Sequence, residues 1–170
     1  MQHAMRAAIV TPMKRARRIY LDVCCFNRPF DDQRTDRVRM EAEAVKGVLL
    51  RIRSGSWRGI GSSVIDLEIR RMPDVRRLVE IMLMTTEMQE KVEPDETDHA
   101  RAAALLRSGF KALDALHLAC AEKANADVFL TTDDALLKVA ARSERHGLKV
   151  RVVNPLQWFE EVLRNENADT

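Results

Sequence analysis

A ten-residue run, Ala112 to Ala121, constrains this chain more than any other stretch. Eight of its ten residues are apolar, and the exceptions are Asp114 and His117. A helix that is apolar nearly all round is a buried helix. An ionised carboxylate inside one is costly unless something pairs with it. Asp114 and His117 are three apart and therefore share a face. Asn125-Ala126 breaks the run, and Asp127 to Thr131 reads as a short buried strand. It stops at Thr131-Thr132-Asp133-Asp134, where a new helical pattern begins. Ligands of open parallel sheets bind beyond the carboxyl ends of the strands. One acid on a buried helix and another at the next strand's tip together ask for a cation.

The remaining chain alternates strands with helical segments. Arg18 to Val23 is β-prone and contains Asp22; Cys24 to Asp32 reads as a loop, with Pro29 and an Asp pair as turn formers. A helix starts near Thr35 or Asp36, its inner face carrying Val38, Ala42, Val45, Val48, Leu49 and Ile52, and Ser54-Gly55 ends it. Trp57 to Gly61 is a second strand, and Val64 to Ile69 a short helix stopped by Pro73. Asp74 caps another helix, Pro94-Asp95-Glu96 opens a further one, and Gly109 closes it. Ala135 to Arg145 is helical, Leu148 to Val153 is the last strand, and Pro155 starts a terminal helix. With no hairpin signal, this alternation predicts an α/β fold with a parallel sheet.

Length and composition fit one globular domain: 170 residues, 46% hydrophobic and 32% charged. No apolar run reaches the roughly 18 residues a membrane span needs, so no membrane role is expected. Net charge is only +2, but no acid precedes Asp22, while Arg6, Lys14, Arg15, Arg17 and Arg18 do. Residues 1–17 are therefore set apart as a basic extension, a solvated tail or a phosphate-binding arm. Met13 is an alternative start. Residues 18–165 form the domain and 166–170 a tail. Cys24, Cys25 and Cys120 make neither a disulfide framework nor a zinc pattern. They read as reduced residues of a cytoplasmic protein.

Four acids can converge at one sheet edge: Asp22 after the first strand, Glu68 on the helix after the second, Asp114 before the third and Asp133 after it. Carboxylates brought together repel, and a hard cation, Mg²⁺ or Mn²⁺, resolves the repulsion. No P-loop, GxGxxG, HExxH or GxSxG offers a rival chemistry. Of Asp133 and Asp134, one caps the following helix while the other binds metal; the Thr131-x-Asp133 spacing favours Asp133, with Thr131 and Asp134 in support. His117 is more simply a satisfied packing residue than a base or ligand. Asn27 and Arg28 stand where they could hold a phosphate, or serve only the turn before Pro29.

The segments YLDV at 20–23, SSVIDLEI at 62–69, ALDALHLACA at 112–121 and FLTTDD at 129–134 resemble the PIN domain family. The loop DVCCFNRPFDDQ resembles that of a bacterial and archaeal subgroup. The resemblance implies a three-layer α/β/α fold with a central parallel sheet. It implies that Asp22, Glu68, Asp114 and Asp133 are catalytic, metal-holding positions, and that the activity is hydrolysis of RNA to a 3′-hydroxyl and a 5′-phosphate. Many members are VapC-like ribonuclease toxins, so a small antitoxin that inserts an arginine among the acids is an expected partner, and a homodimer another. Arg28, Arg34 and Arg37 would offset repulsion between the acids and RNA. Where many members carry Ser or Thr two residues after the first acid, this chain has Cys24. The alternative is a non-catalytic module of the same fold that binds RNA or docks a partner.

Overall fold

The computed structural model describes residues 15–143 and 147–168. Met13, most of the basic extension, His146 and residues 169–170 lie outside them. β1 (Arg18–Leu21), β2 (Arg58–Ser62), β3 (Glu90–Val92), β4 (Val128–Leu130) and β5 (Arg151–Val153) form one sheet in the order β3-β2-β1-β4-β5, all pairs parallel. Ile19, Tyr20 and Leu21 of β1 and Phe129 and Leu130 of β4 are wholly buried. Strands covered on both faces need such unbroken apolar runs. Tyr20 stacks on Phe129 with ring centroids 5.2 Å apart.

Eight helices are seen among the described residues: α1 (Val23–Asn27), α2 (Asp36–Arg53), α3 (Ser63–Arg70), α4 (Val75–Thr85), α5 (Glu96–Arg107), α6 (Ala112–Lys123), α7 (Asp134–Ser143) and α8 (Pro155–Ala168). They cover the sheet as an α/β/α arrangement, with α2 packed on α8 and α6 on both α3 and α5. From β1 the chain moves outward to β2 and β3. It then returns to the other side of β1 for β4 and β5. The strand order therefore reverses between β1 and β4. Connections leaving two such strands diverge and open a crevice at their carboxyl ends.

Three features depart from the sequence expectation. Cys24 to Asp32 is not an irregular loop: α1 starts directly at Asp22, whose Oδ1 accepts the Val23 N–H at 2.8 Å, and a 3₁₀ turn follows over Arg28–Phe30. The edge strand β3 was not foreseen, because Glu90-Lys91-Val92 carries no apolar alternation. Helix α8 continues through the expected tail as far as Ala168.

The inner face of α2 also holds an acid. Glu41 is 1% exposed, whereas Val38, expected inside, is only half-buried. Glu41 Oε1 accepts from Arg37 Nε at 2.9 Å and from Asn154 Nδ2 at 2.7 Å. Arg28 Nε lies 2.9 Å from Oε2, an ionic contact. Glu41 thus ties α2 to the turn after α1 and to the end of β5. Removing one member of a buried pair strands the other in low dielectric. Glu41→Ala is therefore expected to lower unfolding free energy by about 3 kcal/mol. Asp134→Ala, which breaks an exposed pair with Arg37, should cost less than about 1 kcal/mol. Urea denaturation of both variants checks this, and equal costs would contradict it.

Candidate metal centre

The register Leu21↔Leu130 puts the residues after β1 and β4 side by side at the reversal point. Asp22 follows β1 and is 7% exposed. Thr131, fully buried, follows β4 and donates its hydroxyl to Asp22 Oδ2 at 2.7 Å. Cys24 Sγ lies 3.2 Å from the same oxygen. The Thr132 N–H reaches Cys24 Sγ at 3.2 Å. The thiol therefore stands where a hydroxyl was to be expected, and it bridges Asp22 to the β4 end. Burial raises the Asp22 carboxyl above its ordinary value, opposed by His117 and by the bonds from Thr131 and Cys24.

Glu68 reaches this carboxylate from α3. Ser62 starts that helix, its Oγ accepting the Ile65 N–H at 3.1 Å. Glu68 Oε2 lies 2.8 Å from His117 Nε2. One ligand atom from each of Asp22, Glu68 and His117 falls within 4.8 Å of the others. Asp114 and Asp133 stand outside this tight group, and Asp114 feels the charge of Asp22 within it. Asp114, on the first turn of α6, has its carboxyl pushed up to about 6 by burial and then by the charges of Asp22 and Asp133. Asp133 Oδ1 caps α7, accepting the N–H groups of Ala135 at 2.8 Å and Leu136 at 3.2 Å. Its Oδ2 has no hydrogen-bond partner among the described residues. One side chain can thus serve both roles between which the sequence offered a choice. Asp133 N–H itself donates to Thr131 Oγ1 at 3.1 Å, so Thr131 orients both acids.

Other sequence picks are placed differently. Asp134, expected as a support of the acids, forms a two-bond fork with Arg37 at 2.6 and 2.9 Å instead. A short reach from the α7 start to α2 accounts for this. Asn27 donates to the Val23 carbonyl at 3.2 Å. Arg28 is held by Glu41 and, at 3.2 Å, by Asp31. Arg34 pairs with Asp32. All three arginines chosen to offset the acids are therefore already paired. Asn27 and Arg28 do line a cleft of about 500 Å³ together with Cys24, Glu68, Asp133 and Arg71. Arg71 caps α3 and has no acidic partner among the described residues. Arg71 was not foreseen, and no spacing in the sequence distinguishes it from its neighbours. His117 had a signal, its i, i+3 relation to Asp114, but its partners lie on β1 and α3.

The family model for the PIN domain matches residues 19–142. This chain belongs to the PIN domain family. PIN domains are generally nucleases, and those nucleases typically use divalent metals. Among solved structures, the chain is similar to VapBC2 from Rickettsia felis bound to a DNA fragment from their promoter. The TM-score is 0.52 at 11% identity, covering 81% of this chain and 98% of that one. It is also similar to FitAcB from Neisseria gonorrhoeae, with a TM-score of 0.49 at 16% identity, covering 81% and 97%. No curated protein matches. The PIN likeness read from the four motifs holds, as does the parallel-sheet fold.

The raised Asp114 carboxyl has a signed consequence. A group whose folded value exceeds its unfolded value gives stability that is fully present below the unfolded value and lost as pH rises through the folded one. In metal-free protein, Asp114→Asn should therefore gain thermal stability over the parent as pH rises from about 4 to about 6, then keep a constant lead. Melting temperatures of both proteins across that range check the sign. A lead that shrinks with rising pH would contradict it.

Proposed function

We propose that this protein is a divalent-metal-dependent ribonuclease that hydrolyses RNA phosphodiesters. What supports this is the meeting of Asp22 and Glu68 within 4.8 Å at the reversal point of the sheet, with Asp114 close enough to feel the charges of Asp22 and Asp133. The donor set fits a hard cation: carboxylate oxygens from four separate segments and no thiolate pair. Asp22, Glu68 and Asp114 would hold Mg²⁺ or Mn²⁺, and Asp133 would complete the site directly or through water. The ion, when bound, supplies charge neutralisation and polarises the phosphodiester.

The protein's own groups account for the rest. Thr131 and Cys24 fix Asp22 so that its carboxylate needs no reorganisation. Water would attack phosphorus as the bond to the 3′-oxygen breaks, giving up its proton to solvent while the leaving 3′-oxygen takes one from solvent. The products are a 3′-hydroxyl and a 5′-phosphate. Arg71 and Asn27 border the same cleft and would take flanking phosphates; Arg28, engaged with Glu41, would serve through its remaining donors. Single-stranded or looped RNA suits an acidic cleft better than a duplex, because its backbone can bend into it.

The domain would span residues 18–165, with a basic extension before it that adds phosphate contacts. A protein partner is also part of this reading. Helix α4 exposes Val75, Val79, Met82 and Leu83, an apolar stripe at helical spacing. A small antitoxin, placing an arginine among the acids, would cover it in a toxin–antitoxin pair; a homodimer is the other assembly such a stripe serves. The protein would act in the cytoplasm, where its three cysteines stay reduced.

Incubation of a mixed RNA pool with Mn²⁺ tests the activity. The parent should cleave it, chelation should stop cleavage, and Asp114→Asn should lose at least about 100-fold. Equal activity in parent and variant would assign the cleavage to a contaminant and remove the enzyme reading.

A further inference from the structure

His117 is 1% exposed and sits in a chain of hydrogen bonds that begins and ends on α3. The Ile65 N–H meets Ser62 Oγ at 3.1 Å. Ser62 Oγ meets the Tyr20 hydroxyl at 2.7 Å, and that hydroxyl meets His117 Nδ1 at 2.7 Å. His117 Nε2 then meets Glu68 Oε2 at 2.8 Å. Ser62 and Tyr20 are 1% and 0% exposed, so neither hydroxyl has water as a spare partner. A buried polar hydrogen without an acceptor is costly.

Counting hydrogens gives the chain one direction. The Ile65 N–H can only donate, so Ser62 Oγ accepts there. The Ser62 hydroxyl hydrogen must then go to Tyr20, the sole remaining partner of Ser62 Oγ among the described residues. The Tyr20 hydroxyl in turn donates to Nδ1, which must be bare. The ring proton therefore lies on Nε2 and is given to the Glu68 carboxylate. Every hydroxyl gives once and accepts once. If Nε2 instead offered its lone pair to a cation, Nδ1 would carry the proton and donate to Tyr20. Tyr20 would then donate to Ser62, and the Ser62 hydrogen would be stranded in the core.

We propose that His117 is a positioning residue for Glu68, held in the Nε2–H form by Tyr20 and Ser62, and not a metal ligand. The cation would then meet oxygen donors only. This rests on the reading of the acids as a metal site, but the state of the ring can be measured without metal. A ligating imidazole favours Ni²⁺ over Mg²⁺, whereas a residue that orients a carboxylate affects both ions alike.

Nitrogen-15 NMR of the His117 ring in metal-free protein is the first test. The Nε2–H form supports the proposal, and the Nδ1–H form overturns it. On adding Mg²⁺, retention of the Nε2–H signal supports it and its loss overturns it. In His117→Gln, shown folded by circular dichroism, Mg²⁺ and Ni²⁺ affinities should fall by the same factor, about 10- to 100-fold. A loss confined to Ni²⁺ would overturn the positioning role. A parent protein that binds neither ion would end the metal reading, while the ring measurement would still decide what His117 does.

Discussion

The structure depends on a carboxylate held by hydrogen bonds where water hardly reaches. Asp22 stands at the junction of two central parallel strands, and burial alone would favour its neutral form. Three donors from two strand ends hold it: the Val23 N–H, the Thr131 hydroxyl and the Cys24 thiol. The same contacts start α1 and fix the turn after β4. Local fold and site are therefore one arrangement, and neither can be changed alone. Cys24 is informative here. A thiol is a weak donor, yet in this place it contacts both Asp22 and Thr131 and receives the Thr132 N–H.

Around that carboxylate, positive charge is used sparingly. Arg28, Arg34 and Arg37 are each engaged by acids, and Glu41 holds two of them, Arg28 in the wall of the cleft and Arg37 beside it on α2. In the cleft wall, Arg71 is the guanidinium without an acidic partner among the described residues. Burial, and after it the negative charge of Asp22 and Asp133, raises Asp114 toward neutrality. A divalent cation would relieve that excess of negative charge, and its binding would then be coupled to the stability of the domain.

Much of this was legible in the residues. Parallel strands, the helix starts at Asp74 and Asp95 and the buried helix α6 all follow from short-range pattern and capping. Asp22, Glu68, Asp114 and Asp133 could be picked because each interrupts or ends an apolar segment. What could not be read was pairing across the chain. Tyr20 and His117 are 97 positions apart, and nothing local says that their side chains meet. Glu41 looks like a solvated helix residue until Arg28 and Asn154 fold over it. Arg28 looks like a phosphate ligand until its partners are known. Strand β3 escaped because an edge strand of three residues, two of them charged, carries no periodic signal.

The account turns on whether these carboxylates share one divalent ion. Crystals grown or soaked with Mn²⁺ answer that directly through anomalous scattering. The account predicts an anomalous peak bound by Asp22, Glu68 and Asp114 oxygens, with Asp133 in contact directly or through water and no nitrogen of His117 bound. An Mn²⁺ ion bound elsewhere on the protein, with the crevice between β1 and β4 left free of anomalous signal at saturating metal, would contradict it.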